Sequence, residues 1–261
     1  MHTQSILGLD PAQLDRLEAR VSAQIGTWQH PVGRRRAMTL RQAIETCLFA
    51  LRHNHSQQAL GWMVKASQAT ISRTVARVRR AVQSALAADQ VSLADTAPAE
   101  RLLVDGCPAP TGTRTGQAGK RLYNGKRHKA GVNLQVVCDR WGRLLHVSDP
   151  LPGATHDAKA FVATGLDRLV AEHPTLGDKG YQGCGIHTPF KQPRGGELCE
   201  LEQATNRAHA SARAPVERAI ALLKRWKVLG SGYRGRLSAL PAVVRTVVAL
   251  EKFRIYDKRL K

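Results

Sequence analysis

The first part of the chain carries apolar residues at helical spacing. Leucine, valine and isoleucine recur every three or four positions within residues 11–28, which predicts an amphipathic helix there. After a basic break, Thr39 and Gln42 have the spacing of a capping box, so a second helix is predicted to begin at residue 40. This pattern predicts an all-helical amino-terminal domain.

Residues 56–82 have the pattern of two short helices joined by a tight turn. Ser56 and Ser67 each precede an apolar repeat and can cap a helix. The second helix has apolar residues on one side and hydroxyl and basic residues on the other, as a recognition helix in the major groove does. The candidate DNA-binding side chains on it are Gln68, Thr70, Arg73, Thr74 and Arg77. The alternative is a basic helical hairpin that only faces solvent.

The periodicity changes after residue 100. Residues 91–100 are small and acidic and contain a proline, which is typical of a linker between a helical domain at 1–90 and a second domain at 101–261. An apolar run ends in Asp105 and a glycine, which predicts a buried strand with a carboxylate at its exit. Residues 131–147 alternate and turn as a hairpin does.

Further elements follow the hairpin. Asp157 is placed to cap a helix, a short strand leads to Asp178, and a long helix carries Glu217. Together these elements predict a mixed α/β domain.

The charge balance indicates a polyanionic partner. Lys and Arg number 40 against 20 Asp and Glu, which gives a net charge of +20 and favours double-stranded DNA. No apolar run approaches the roughly 18 residues of a membrane-spanning helix, so we expect a cytoplasmic protein without a membrane partner. Residues 113–129, including Lys126, form a basic segment that suits either a loop along DNA or a solvated loop.

Two other kinds of site are disfavoured. Arg121 stands where a phosphate loop needs Ser or Thr, so no nucleotide cofactor is expected. The five scattered cysteines fit no zinc spacing.

Three acids are candidates for a catalytic metal site. Asp105 and Asp178 would meet if their strands were parallel neighbours, and Glu217 would approach from the long helix. Clustered carboxylates repel one another unless a cation neutralises them. Mg²⁺ and Mn²⁺ prefer such oxygen ligands, and two ions are expected here. The alternative for Asp178 is a turn-capping aspartate. Asp157 is an alternative catalytic acid, with helix capping as its simpler role, and His156 beside it is a possible accessory residue.

Four segments together carry a resemblance to a known family. "VDGC", "PGATHDAKAF", "LGDKGYQG" and "NRAHASARAPVERAIALLKRW", in this order, resemble the DDE transposases of bacterial insertion sequences, in the branch similar to Harbinger elements. The resemblance implies a ribonuclease H-like core with Asp105, Asp178 and Glu217 as catalytic acids. It also implies phosphate contacts from Arg213 and Lys224, which share a helix face with Glu217.

The function expected from this resemblance is cutting and joining of DNA. Such a protein would bind the terminal repeats of its element through an amino-terminal helix-turn-helix and would act as a homo-oligomer on repeat and target DNA, associated with the bacterial nucleoid. Two alternatives remain open. One is a transposase-derived DNA-binding protein without catalysis, and the other is a metal-dependent endonuclease without strand transfer.

Overall fold

The computed structural model describes residues 6–29, 32–33, 35–88, 90–98, 100–112, 114–125 and 128–257. These residues form two compact units. One contains the chain up to Gln90 together with the residues from Leu223 onward, and the other runs from Val91 to Leu222. The break at residue 90 falls next to the predicted linker. The carboxy-terminal segment, however, packs with the first unit, so these units differ from the predicted domains, which remain a prediction.

The first unit is helical. Its helices are α1 (Pro11–Ile25), α2 (Leu40–His53), α3 (Gln57–Met63), α4 (Gln68–Ala85), α9 (Lys227–Gly230) and α10 (Leu240–Tyr256). Helices α1, α2, α3 and α10 all pack against α4, which buries Ile71, Val78 and Val82 in this core. The first helix ends earlier than the sequence predicts because Gly26 takes a positive φ of 67°.

Side-chain caps start the amino-terminal helices where the sequence predicts. The hydroxyls of Thr39, Ser56 and Ser67 each accept a hydrogen bond from a backbone N–H in the first turn of the helix that follows. Since α3 ends at Met63 and Ser67 caps α4, only a short turn joins the two helices. The local geometry of residues 56–82 is therefore the expected pair of helices joined by a tight turn.

The second unit is a mixed sheet with helices on both faces. Its strands are β1 (Leu102–Pro110), β2 (Tyr123–Asn124), β3 (Lys129–Asp139), β4 (Leu144–Val147), β5 (Leu151–Pro152) and β6 (Thr175–Leu176). Its helices are α5 (Gly116–Leu122), α6 (Asp157–Ala163), α7 (Leu166–Leu169) and α8 (Glu200–Lys224), the last of which continues into the first unit. Strand β1 lies between β3, which is antiparallel to it, and β6, which is parallel. The mixed α/β prediction is confirmed for this unit.

The two faces of β1 have different coverings because side chains alternate along a strand. Leu102 and Val104 pack in a core with Phe161 of α6 and Leu166 of α7. Leu103 packs on the opposite face, in a core with Cys138, Val216 and Ala219, the last two from α8. Asp105 follows Leu103 by two residues, so it belongs to the face that α8 covers.

Two local predictions about the acids are wrong. Asp105 does not lie at the exit of its strand, because β1 continues to Pro110 and stays paired with β3 over that length. Asp157 does not cap α6, because His156 is the N-cap residue and no side chain caps this helix end. The Asp157 carboxylate accepts a hydrogen bond from Asn133 Nδ2 instead, at 2.8 Å.

Candidate active site

Strand register brings Asp105 and Asp178 together. Leu103 of β1 is the parallel partner of Leu176, the last residue of β6. Asp105 and Asp178 each follow this pair by two residues, and the two carboxylates interact electrostatically. Beyond Leu176 the chain leaves the sheet, and Asp178 starts a short 3₁₀ turn by accepting a hydrogen bond from Gly180 N at 2.8 Å. The turn-capping and ligand interpretations of Asp178 are thus compatible, since one oxygen caps the turn.

Asp157 reaches the same region from the other face of the sheet. A Cβ built on Gly106 would lie 2.4 Å from Asp157 Oδ1, so this carboxylate occupies the space above a bare backbone. A Cβ built on Gly180 would lie 2.9 Å from Asp178 Oδ1 and 3.5 Å from Asp157 Oδ2. The glycines after Asp105 and Asp178 therefore leave room for three neighbouring carboxylates.

The electrostatics of Asp105 reflect this crowding. Burial is the largest influence and raises the pKa of Asp105 to about 6, with further increases from Asp178 and Asp157. Arg213 of α8 opposes the shift, and its Nη2 lies 3.4 Å from Asp105 Oδ2. Arg213 Nε is buried and has no hydrogen-bond acceptor among the described residues. The single positive charge of Arg213 thus offsets the effects of burial, Asp157 and Asp178 on Asp105 only in part.

Glu217 lies on α8, close in sequence to Arg213. Among the described residues it makes no contact with the three aspartates. Its neighbour Val216 is buried against the sheet, whereas Glu217 is exposed. It lies four residues after Arg213, hence one helical turn away on the same side. In the described part of the chain, Glu217 does not appear among the groups that shift the pKa of Asp105. Lys224 is the last residue of α8.

The donor chemistry of the cluster fits a hard divalent cation, although the cage is not closed. Asp105, Asp157 and Asp178 each engage one carboxylate oxygen with a protein N–H, which orients the other oxygen. Oxygen ligands of this kind suit Mg²⁺ and Mn²⁺. Among the described residues, no three His, Cys, Asp or Glu side chains stand close enough together to hold one ion as they are. An ion would therefore have to draw these side chains inward.

Two buried polar residues at this site were not predicted from the sequence. Asn133 and Gln135 occupy the polar positions of the alternating strand β3, which an amphipathic strand normally exposes. Both are buried here, with 9% and 0% of their surface exposed. Asn133 donates to Asp157, and Gln135 accepts a hydrogen bond from the hydroxyl of Tyr181 at 2.7 Å. Both residues lie on β3, the predicted hairpin strand that pairs with β1 and so lies beside Asp105. That position was the signal in the sequence that could have identified them.

The remaining candidate residues lie elsewhere. His156 is exposed at the start of α6, and Lys126 lies outside the described residues. On α4, Gln68 and Arg73 are exposed and Thr74 is half-buried.

Three of the candidates on α4 already have partners within the first unit. Gln68 Nε2 donates to Gln57 Oε1 at 2.6 Å, and the Thr70 hydroxyl bonds that of Ser67. The guanidinium carbon of Arg77 lies 5.4 Å from the centre of the Trp28 ring, so this side chain also stabilises the helical unit. Arg73 is consequently the more exposed of the two charged candidates on α4.

Comparison with known families gives the context for the acidic cluster. The sequence model described as DDE superfamily endonuclease matches residues 104–252, which is more than half of the chain and includes all three predicted catalytic acids. The chain belongs to the DDE superfamily of endonucleases. Endonucleases of this superfamily use divalent metal ions.

Two curated relatives of this chain are named as transposases. A protein of Streptomyces albus G, named as a transposase for insertion sequence element IS112, is 35% identical over 130 residues, which is 49% of each chain. A protein of Microchaete diplosiphon, named as a transposase for insertion sequence element IS702, is 29% identical over 122 residues, covering 45% of this chain and 44% of that protein. The aligned region is thus about half or less of the length of these relatives.

Neither a solved relative nor, among the described residues, a membrane-spanning helix was found. No solved structure matches the chain significantly. Within the residues that the structure describes, none of the helices is both long and apolar enough to cross a membrane.

Proposed function

We propose that this DDE endonuclease is an insertion-sequence transposase that binds the terminal repeats of its element and catalyses DNA cleavage and strand transfer. The observation that carries this proposal is the register of β1 and β6. It places Asp105 and Asp178 two residues beyond the same strand pair, inside the region that matches the superfamily. The names of the two relatives favour the same function.

Asp105, Asp178 and Glu217 are the proposed ligands of Mg²⁺ or Mn²⁺, bound as two ions. Asp105 lies on the sheet face that α8 covers, and Glu217 is one turn from the Arg213 that pairs with Asp105. To join the same ions, the exposed side chain of Glu217 would have to turn toward the aspartates. When bound, a pair of such ions stabilises both the attacking and the leaving oxygen of a phosphodiester substitution.

Arg213 and Lys224 are the proposed phosphate contacts. Arg213 already offers one nitrogen of its guanidinium to Asp105, and the planar group has further donors in the geometry that a phosphate accepts. In this arrangement the chain holds the scissile phosphate beside the acids. Water then attacks the phosphorus at the element end, which breaks the bond to the 3′ oxygen and leaves a 5′ phosphate. The freed 3′ hydroxyl attacks a phosphodiester of the target DNA, whose own 3′ oxygen leaves.

The helical unit is the proposed reader of the terminal repeat. Residues 56–82 supply two capped helices with a short turn, and α4 carries exposed Gln68 and Arg73 near its amino terminus. A helix-turn-helix places these positions in the major groove. A ribonuclease H-like core, a homo-oligomer on DNA and a nucleoid location complete the proposal.

The test is cleavage of a labelled duplex that carries the flanking repeat of the source element. The full chain would be compared with Asp178→Asn and with Asp149→Asn, an exposed aspartate between β4 and β5 that serves as the matched control. We expect Mg²⁺-dependent nicking at the repeat boundary that persists in the control and disappears in Asp178→Asn.

Other outcomes would point to other functions. Repeat binding without cleavage in any variant, with Mg²⁺ or Mn²⁺, would indicate a DNA-binding protein without catalysis. Cleavage without joining of a pre-cut end to target DNA would indicate an endonuclease without strand transfer. Cleavage that survives Asp178→Asn would remove this aspartate from the site.

A further inference from the structure

A chain of buried side chains connects the turn that carries Asp178 with the carboxylate of Asp157. The Tyr181 hydroxyl donates to Gln135 Oε1 at 2.7 Å, and Gln135 Nε2 donates to Asn133 Oδ1 at 3.4 Å. Asn133 Nδ2 then donates to Asp157 Oδ1 at 2.8 Å and to the backbone oxygen of Thr155 at 3.2 Å. Every link donates in the same direction, from the tyrosine to the carboxylate.

This direction fixes the orientation of both amides. If Asn133 were flipped, its NH₂ group would face the NH₂ group of Gln135 and its oxygen would face a carboxylate, so both contacts would be lost. Tyr181 and Gln135 are fully buried and Asn133 is 9% exposed, which makes each unpaired polar group costly. The hydrogen-bonded series of Tyr181, Gln135 and Asn133 is consequently a rigid support, and its last donor always faces Asp157.

The support determines where the second oxygen of Asp157 points. Oδ1 is held over Gly106 by Asn133, and Oδ2 is then on the side of Gly180, within 3.5 Å of the position that a Cβ there would take. Asp178 Oδ1 lies 2.9 Å from that same position. In the part of the chain that the structure describes, no donor is recorded for Asp157 Oδ2. The carboxylates of Asp157 and Asp178 are thereby both held beside Gly180.

Two carboxylates held this close repel each other, so the arrangement costs free energy. The packing of the surrounding residues does not require it. The packing of Tyr181 needs only its ring, which makes an edge contact with Phe161 at 5.6 Å between centroids. The hydroxyl, Gln135 and Asn133 are additional, and their combined effect is to place one carboxylate oxygen beside Asp178.

We propose that Tyr181, Gln135 and Asn133 are positioning residues that hold Asp157 beside Asp178 as a fourth acid of the divalent-cation site. This inference rests on the proposed function, because it assumes that a cation binds at Asp105 and Asp178. It assigns Asp157 a place on the cation, in addition to the three acids that the resemblance implies. Partners that orient metal ligands typically change metal affinity 10–100-fold when removed.

The test is the binding of Mn²⁺ alone to the full chain. The electron paramagnetic resonance signal of the free ion measures the unbound fraction, at a temperature where each variant is folded. Asp157→Asn keeps the shape of the side chain, and Asn133→Leu removes the last donor without adding charge. Tyr181→Phe removes only the hydroxyl and keeps the ring contact with Phe161. Asp149→Asn is the control for the loss of one negative charge, and Asp178→Asn reports on the cation site itself.

We expect Mn²⁺ to bind at least about tenfold more weakly to Asp157→Asn and to Asn133→Leu, and to bind Tyr181→Phe more weakly by a smaller factor. The control should bind as the wild type does. If Asn133→Leu does not fold, Tyr181→Phe and Asp157→Asn decide the question.

Two results would overturn the inference. They differ in whether the proposed function is also excluded. Wild-type affinity in Asp157→Asn and Tyr181→Phe, with loss in Asp178→Asn, would exclude Asp157 and its support while the proposed function stands. Unchanged Mn²⁺ binding in Asp178→Asn, or no Mn²⁺ binding by the wild type, would remove the cation site on which both proposals depend.

Discussion

The guanidinium of Arg213 lies 3.4 Å from the carboxylate of Asp105, and the two side chains come from a helix and a strand that are more than 100 positions apart in the sequence. Arg213 is the positive charge that lowers the pKa of Asp105, whereas burial and the neighbouring Asp178 and Asp157 raise it. It keeps part of the charge on Asp105 although burial favours the neutral acid.

Replacing Arg213 should therefore change the titration of Asp105. In the metal-free protein the pKa of Asp105 is raised to about 6, and Arg213 lowers it from what burial alone would give. In Arg213→Gln we expect this pKa to rise further, because the neighbouring positive charge is lost. Carboxyl ¹³C chemical shifts followed over pH would measure it. Arg218→Gln on the same helix is the control, since Arg218 is not among the groups that shift Asp105, and an equal rise in both variants would contradict the pairing.

Gly106→Ala should damage both stability and cleavage. The new Cβ would lie 2.4 Å from Asp157 Oδ1, so the carboxylate must leave Asn133. We expect the free energy of unfolding to fall by about 1–3 kcal/mol, as in other overpacked sites, and repeat cleavage to fall with it. Thermal unfolding and the nicking assay would measure the two effects.

Gly125→Ala is the matched control for this substitution. A Cβ at Gly125 would have nothing within 4 Å, and it lies in the same compact unit. Equal losses in the two variants would show that contact with Asp157 is not the cause.

Arg73→Ala should weaken DNA binding without affecting cation binding. Arg73 is exposed on α4, and loss of one phosphate contact reduces the dependence of log K on log salt concentration by about 1. Fluorescence anisotropy with the repeat duplex at several salt concentrations would measure the slope. Arg168→Ala, an exposed arginine of α7, removes the same charge elsewhere. The same slope in wild type and Arg73→Ala would exclude a phosphate contact at this position.

The cysteines provide a test of the fold that is independent of function. Cys199 is exposed, whereas Cys47, Cys107 and Cys138 are buried. Burial raises the pKa of Cys47 from 9.0 to about 12, so its reactive thiolate is scarce in the native state. We expect a thiol reagent at pH 8 to label Cys199 quickly and the buried three only on unfolding. Rapid native labelling of Cys47 would contradict the packing of α2.

The same shift gives a pH dependence of stability. The folded state holds the Cys47 proton more tightly than the unfolded state, so this contribution to stability is complete below about pH 9 and is lost as the pH rises toward 12. Chemical unfolding at pH 8 and pH 11, compared between wild type and Cys47→Ala, would measure the difference. A wild type that loses no more stability than the variant over this range would contradict it.

The sequence by itself determined the starts of the amino-terminal helices, the main strands and the family. Local hydrogen bonds fix helix starts, so Thr39, Ser56 and Ser67 identified three caps that the structure confirms. The apolar pattern identified β1, the hairpin of β3 and β4 and the mixed α/β class, and the resemblance of four segments predicted the family to which the chain belongs. These features depend on residues close together along the chain, which is why they are readable without a structure.

Only the tertiary structure decided which acids meet. The extent of β1 depends on its pairing with β3, so the position of Asp105 inside a strand was not visible from its own neighbours. Asp157 was predicted to cap a helix because its local sequence favours that role, yet a residue 24 positions earlier holds its carboxylate. Side chains distant in sequence compete with local partners, and the pairing of strands, which fixes the register, determines which partner is within reach.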